Sequence, residues 1–207
     1  MGATGVAERA ARAAVRRLQR GQRLDLADVA AEVGVSRATL HRHTGGRTRL
    51  AGEALWLMTE LALDTARRTC GWRPSSGTSR STAIAARYLK LVSGDAGLRR
   101  LLDDEPEFAM RVLTAPDGCV EPRLIHAVTA LLDEDVHDGL LEPVLPTVDI
   151  AYAVVKLGES FLYADIVSSR APDVDAATRI ITAVIEARPP AAPRRPADDR
   201  SGVLVLA

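Results

Sequence analysis

Six basic side chains lie in residues 33–52, a stretch that holds no acidic residue: Arg37, His41, Arg42, His43, Arg47 and Arg49. A solvated helix face normally carries charges of both signs, so a run of one sign favours contact with a polyanion such as DNA. Arg37 and Arg42 are candidates for reading base edges, because arginine can bind guanine through two hydrogen bonds. The alternatives are that both contact only the DNA backbone, or that the cluster arose by chance on a helical pair.

A second group of polar side chains interrupts an apolar segment at intervals of four, three and four residues: Tyr152, Lys156, Glu159 and Tyr163. This spacing places the four side chains on one face of an α-helix. Polar groups that converge within an apolar helix are typical of a ligand pocket. The alternative is an ion pair between Lys156 and Glu159 at the surface or at a subunit interface.

No residues match the spacing of a catalytic or metal-binding site. His41 and His43 diverge by about 200° on a helix, so they would not share a metal ion. Glu134 and His137 are three residues apart, which would allow a metal pair, but a surface charge pair is the simpler interpretation. We therefore expect neither a metal, nor a cofactor, nor enzymatic activity.

Two short helices joined by a tight turn, in residues 25–43, would position the basic side chains. Asp25 and Ser36 can cap the first and second helix, and Gly34 lies where the turn needs a permissive backbone. Small Ala30 would let the helices approach closely, and Leu40 would pin the second helix to the valines of the first. With Leu40 inward, the outward positions and those that flank them are Ala38, His41, Arg42, Arg37 and Thr39. The pattern predicts a helix-turn-helix, whose second helix enters the major groove of DNA.

A further helix, residues 6–20, precedes this pair after a loose end of residues 1–5 and stops at Gly21. We therefore predict a three-helix head, residues 1–46. Residues 1–50 contain ten arginines and four acidic residues, a net charge of +6, whereas the rest of the chain has a net charge of −6. A basic head on an acidic body is the charge asymmetry expected of a DNA-binding protein.

For residues 47–188 we predict a helical domain that binds a ligand and forms the dimer. The whole protein is thus expected to be all-α. Its first helix, 47–70, would connect the two domains. The helix over 147–169 is so apolar that it must be buried on several sides, which favours a homodimer through 147–169 and 173–187. The other helices are expected at 79–93, 96–103, 106–114 and 120–138, with a loop at 71–78. We expect residues 189–207 to form a disordered tail, and its final segment VLVLA has no assigned role.

The composition also indicates the cellular compartment of the protein. Aromatic residues make up 3% of the chain, which contains two cysteines, Cys70 and Cys119. No apolar run approaches the ~18 residues that span a membrane. We expect a cytoplasmic protein without membrane contact and with two reduced thiols; a disulfide is the alternative.

The head resembles that of TetR-like repressors, and this match covers about a quarter of the chain. It is carried by the stretch LADVAAEVGVSRATLHRHTGGRTRLAGEAL. The resemblance implies a homodimer that binds double-stranded palindromic operator DNA and is released by a small ligand. It also implies that the residues at DNA-contacting positions are Ser36, Arg37, Ala38, Thr39, His41, Arg42, His43 and Arg47. The family usually has Tyr where His41 stands and often an aromatic residue where His43 stands, so this anchor would be weaker or sensitive to pH.

The segments LRRLLDDEPEFAMRVLT and YAVVKLGESFLYADIV resemble the regulatory domain of the QsdR-type subfamily. This resemblance adds Glu105, Phe108 and Arg111 to the pocket candidates. The subfamily is linked to degradation of acyl-homoserine-lactone signals, and only through that link does the resemblance imply a lactone as the ligand.

The function expected from the sequence is thus a ligand-responsive DNA-binding transcriptional regulator, most simply a repressor released by a small hydrophobic ligand. The alternative is a helical ligand-sequestering protein or enzyme with a vestigial DNA-binding head.

Overall fold

The computed structural model describes residues 3–70 and 78–188, with the backbone alone for Ala3 and Thr4. This part of the chain is all-helical, without a strand, as the sequence predicts. Its helices are α1 (Ala3–Gln19), α2 (Leu26–Val33), α3 (Arg37–Thr44), α4 (Arg47–Cys70), α5 (Arg80–Ser93), α6 (Ala96–Asp104), α7 (Pro106–Leu113), α8 (Glu121–His137), α9 (Thr147–Leu162), α10 (Ala164–Ser168) and α11 (Val174–Ile185). The expected tail at 189–207, with its VLVLA end, and nearly all of the 71–78 loop lie outside the described residues.

Helices α1–α3 form the three-helix head. Asp25 caps α2 by accepting a hydrogen bond from the Ala27 N–H at 2.6 Å, and Ser36 caps α3 through the Thr39 N–H at 3.1 Å. Gly34 takes the left-handed conformation, φ 77°, in the turn between the two helices. The expected helix-turn-helix is therefore present. The expected loose end at residues 1–5 is wrong in part, since α1 already begins at Ala3.

Helices α4–α11 form the body. The prediction of one helix over 147–169 is wrong, because the chain leaves the helical conformation at Tyr163, with φ −110° and ψ 20°, between α9 and α10. The bend accompanies burial of the Tyr163 ring, which is 6% exposed and packs into the apolar core. Among the described residues, no helix is long and apolar enough to cross a membrane.

One apolar core runs across the expected boundary between the head and the body. It joins Leu18, Leu24 and Leu40 of the head to Leu50 of α4 and Leu101 of α6. Helix α6 also lies very close to α1: a Cβ on Gly97 would be 2.7 Å from the Leu18 carbonyl oxygen. Movement within the body can therefore reach the head through direct packing.

A second core lies between α5, α8, α9 and α11, around Leu89, Leu132, Ile150 and Ile181. Helix α9 still exposes large apolar side chains at its start. The apolar face, as we name it, comprises Val144, Leu145, Val148 and Tyr152, which are 43–57% exposed, and Ile180 of α11, which is 40% exposed.

Candidate DNA interface and ligand cavity

Helix α3 presents its basic side chains outward because Leu40, on its inner side, is fully buried. Arg37, Ala38, His41 and Arg42 are exposed, as expected from the helical period. Thr39 and His43 are half-buried at the edge of this surface. The side chains that were candidates from the sequence thus share one accessible face at the end of the molecule formed by the head.

The start of α3 is fixed by a short polar network. The Ser36 hydroxyl donates to the Thr39 hydroxyl at 2.9 Å, while Ser36 Oγ also accepts the Thr39 N–H. Arg42 Nη2 lies 3.4 Å from Thr39 Oγ1, which directs the guanidinium along α3. The planar guanidinium of Arg42 can bind a phosphate or a guanine edge through two hydrogen bonds.

His41 packs against the break that follows α3. Its Nε2 lies 3.3 Å from the position that a Cβ on Gly46 would take, and Gly46 has φ +99°. A side chain at Gly46 would therefore be strained and would also press on the imidazole. The ring nevertheless stays exposed, so it can donate one hydrogen bond to a phosphate.

Acidic residues of α2 pair with the arginines of α1. Arg16 contacts Glu32 at 2.7 Å and Arg17 contacts Asp28 at 2.5 Å. These pairs join the two helices and offset part of the positive charge of α1. The exposed positive charge that remains on the head lies on α3, on Arg49 in the first turn of α4, and on Arg9 and Arg20.

Arg47 lies at the junction of the head and the body instead of on the exposed face of α3. Its Nε donates to the Leu24 carbonyl oxygen at 2.7 Å, and its Nη2 contacts Glu105 at 2.5 Å. Its guanidinium stacks on the Phe108 ring, 3.8 Å from the ring centroid. This geometry gives Arg47 an intramolecular role that the sequence did not suggest, and its DNA contact stays a prediction. Arg23 approaches the same Glu105 carboxylate at 3.6 Å.

The body contains an apolar cavity of about 100 Å³ between α4, α5, α8, α9 and α11. Its walls are mainly leucine, isoleucine and valine side chains, such as Leu55, Ile84, Leu132 and Ile181. An apolar lining with few polar groups is that of a small-molecule site, but the volume is below the ~300–1,000 Å³ usual for such sites, so a ligand would have to enlarge the cavity.

Two tyrosines and a threonine bring hydroxyl groups to this cavity. Tyr88 of α5 lies beside Thr59 of α4, and burial raises the pKa of Tyr88 to about 12 against the hydrogen bond from Thr59, which lowers it. Burial also raises the pKa of Tyr163 well above its ordinary range. Both tyrosines therefore remain neutral at physiological pH and can donate as well as accept hydrogen bonds.

Two glutamates also line the cavity, and one lysine pairs with both. Lys156 Nζ lies 2.6 Å from Glu121 Oε2 and 3.1 Å from Glu159 Oε2. Burial raises the pKa of Glu159, although the hydrogen bond from Lys156 lowers it. Burial would lower the pKa of Lys156, but its interactions with Glu121 and then Glu159 raise it. Lys156 is thus held as the cation.

The structure divides the polar side chains expected in a pocket. Glu159 and Tyr163 line the cavity. Lys156 does not line it but pairs with Glu121 and Glu159, which do. Tyr152 is 54% exposed on the apolar face, and Arg111 is exposed on α7. Phe108 stacks on Arg47 outside the cavity. Of the predicted pocket residues, the structure therefore brings only part together at the cavity, and their contact with a ligand stays a prediction.

Sequence reasoning missed Thr59, Tyr88 and Glu121 as cavity residues. Tyr88 stands among the apolar residues of α5, and its hydroxyl is the signal that this side of the helix borders a polar site. Glu121 is 8% exposed at the first turn of α8. An acidic first-turn residue is ordinary at a helix N-terminus, so its sequence context gave no sign of burial in a cavity.

The remaining candidates have structural partners. Cys70 and Cys119 are free thiols, as expected, with no disulfide between them. Burial raises the pKa of both thiols. Glu134 contacts Arg67 through both carboxylate oxygens at 2.6 Å, so it forms a charge pair with α4. Within the described ranges, no group of three or more potential ligands could hold a metal ion.

Comparisons with known proteins agree with this geometry. A family model described as "Tetracyclin repressor-like, C-terminal domain" matches residues 76–186. Among solved structures, the chain is similar to the R. erythropolis transcriptional repressor QsdR from the TetR family. That likeness has a TM-score of 0.78 and 25% sequence identity, and it covers 87% of this chain and 94% of that one. The comparison with curated proteins gave no match.

Proposed function

The chain belongs to the TetR family of DNA-binding transcriptional regulators, and from this premise we propose that it is a homodimeric repressor released from a palindromic operator by a small hydrophobic ligand. The observation that carries the proposal is the pairing of two sites in one chain. An exposed, acid-free basic helix ends the head, and an apolar cavity lies in the body. The long helix α4 connects the two.

The DNA-binding part rests on α3. Arg37 and Arg42 would reach base edges or phosphates in the major groove, and Ser36, Ala38, Thr39, His41 and His43 would complete the contact surface. A dimer would place its two copies of α3 about 34–36 Å apart, one helical turn of DNA.

The dimer would form through the apolar face at α9 and α11. Tyr152 is 54% exposed and Val148 is 52% exposed, and they lie one turn apart on α9. Contiguous exposed apolar side chains favour contact with a protein partner. A twofold interface would bury the same face of each subunit against its copy.

Release would follow from differential binding to two conformations. Helix α4 carries Thr59 at the cavity and Arg47 at the junction with the head. Asp95, the N-cap of α6, and Leu98 within α6 line the cavity, and α6 packs on α1 through Gly97. A ligand that enlarges the cavity would shift these helices and change the spacing of the two copies of α3.

Replacing Arg42 with alanine tests the proposal. Fluorescence anisotropy would follow binding of the full chain to labelled DNA from upstream of its own gene, over a range of salt concentrations. We expect affinity to fall tenfold or more, as for loss of a bidentate contact worth ~1–3 kcal/mol. Arg87→Ala, which removes an exposed arginine from α5, is the matched control and should leave affinity unchanged. Equal affinity of wild type and R42A would remove Arg42 from the DNA-contacting set.

A further inference from the structure

We infer that the cavity selects an amphiphile whose polar head donates hydrogen bonds and carries no negative charge, with an alkylammonium head as the best fit. This inference rests on the proposed ligand response and adds the chemical class of the ligand. The geometry behind it is the placement of carboxylates and hydroxyls at an otherwise apolar cavity.

The charged side chains among the described residues lining the cavity are all acidic: Asp95, Glu121 and Glu159. Asp95 is used locally, because its Oδ1 caps α6 by accepting the Leu98 N–H at 2.8 Å. Glu121 and Glu159 therefore set the charge that a ligand head would meet. A carboxylate-headed ligand would bring a further negative charge into a medium of low polarity, where repulsion is strong.

Lys156 offsets only part of this negative charge. It contacts both glutamates, so two carboxylates share one ammonium group. When both are ionised the cluster has a net charge of −1, and a cationic head would neutralise it. Lys156 is itself held by its pairs with both carboxylates, so it is poorly placed to turn toward an anionic ligand instead.

The Tyr163 hydroxyl supplies the second observation. Tyr163 is 6% exposed, lines the cavity, and forms no hydrogen bond with any residue that the structure describes. A hydroxyl at the cavity wall that has no partner within the protein is available to hydrogen-bond with the head of a ligand. The neighbouring Tyr88 ring offers an aromatic surface to a cation as well.

Isothermal titration of the full chain with three ligands of equal chain length tests the inference: decylamine, decanol and sodium decanoate, at neutral pH. We expect decylamine to bind roughly tenfold or more tightly than decanoate, with decanol between them, since only the head charge changes. Because wild-type protein is compared with itself, this order does not depend on whether a variant folds.

The variant Glu159→Gln assigns the preference to the cavity. It removes one charge while keeping the size of the side chain, so we expect the ratio of decylamine to decanoate affinity to fall by about tenfold or more. Glu60→Gln, an exposed acid on α4, is the matched control and should leave the ratio unchanged. An unchanged ratio in E159Q would overturn the assignment of the head site.

The other outcomes separate this inference from the proposed function. Equal or tighter binding of decanoate would overturn the head-group inference while leaving a ligand cavity in place. Tight binding of decylamine without release of bound DNA would contradict the ligand response and keep the head-group inference. Binding of none of the three ligands would contradict both.

Discussion

Replacing Arg47 with alanine separates two roles for this side chain. The resemblance to TetR-like heads implies that Arg47 contacts a DNA phosphate. The structure instead places it between the Leu24 carbonyl oxygen, the Glu105 carboxylate and the Phe108 ring. In the second role, Arg47 fixes the head on the body, and its loss should lower stability more than DNA affinity.

The expected loss of stability follows from three contacts. The hydrogen bond to Leu24 contributes ~1 kcal/mol. The pair with Glu105 adds ~1 kcal/mol, since the two side chains are 26% and 18% exposed and solvent screens them in part. The stacking on Phe108 adds ~0.5–1 kcal/mol. Together we expect R47A to lower the free energy of unfolding by about 2–3 kcal/mol, or the melting temperature by about 5–10 °C for a chain of this size.

Two assays read the two roles. Circular dichroism at a fixed protomer concentration gives the melting temperature, because the stability of a dimer depends on concentration. The slope of log affinity for DNA against log salt counts phosphate contacts, and each contact changes it by about 0.9. Arg49→Ala is the matched control: Arg49 is exposed on the same helix, so its loss should leave the melting temperature unchanged.

A melting temperature of R47A within about 1 °C of wild type, a difference well below 1 kcal/mol, would refute the junction role. A salt slope reduced by about one contact in the same variant would assign Arg47 to DNA instead. The double variant with Glu105→Gln checks the pair itself, because residues in contact should show a coupling energy of about 0.5–3 kcal/mol.

Two further predictions concern the dimer and the C-terminal end of the body. Tyr152→Asp should weaken self-association at least tenfold in sedimentation experiments, because it places a charge in the apolar face. The control, Leu61→Asp, changes an exposed apolar residue of α4 outside that face and should leave self-association unchanged. Equal effects of the two variants would argue against this interface. Burial would raise the pKa of Glu186, but hydrogen bonds from Thr82 and Ser79 outweigh it, so the pKa lies below the ordinary 4.5. The stabilisation from this carboxylate is therefore present above pH 4.5 and lost as pH falls through the lower folded-state pKa. The melting temperature of Glu186→Gln should lie below that of wild type at pH 7, and the gap should close at low pH; a constant gap would contradict this.

The helix-turn-helix could be predicted because its signals are local. Each cap acts within three residues, as in the contact of Ser36 with Thr39, and Gly34 supplies the left-handed turn. The outward orientation of His41 and Arg42 then follows from the helical period once Leu40 is taken as the inner residue.

The junction and the cavity depend on contacts that are distant in sequence. Arg47 and Glu105 are 58 residues apart, so neither local spacing nor composition pairs them. The helical period placed Tyr152 and Tyr163 on one face, but the first lies on the exposed face and the second in the core. The surroundings of a helix change along its length, and periodicity alone does not report which neighbour covers each turn.

We propose that this protein binds a specific DNA site through α3. The most direct measurement is a gel shift of the purified full chain on DNA from upstream of its own gene, titrated with salt and unrelated competitor DNA. We expect a complex that resists competitor and whose affinity falls steeply between about 50 and 200 mM salt. A weak complex that competitor removes equally well from every DNA fragment would contradict sequence-specific binding to this DNA by α3.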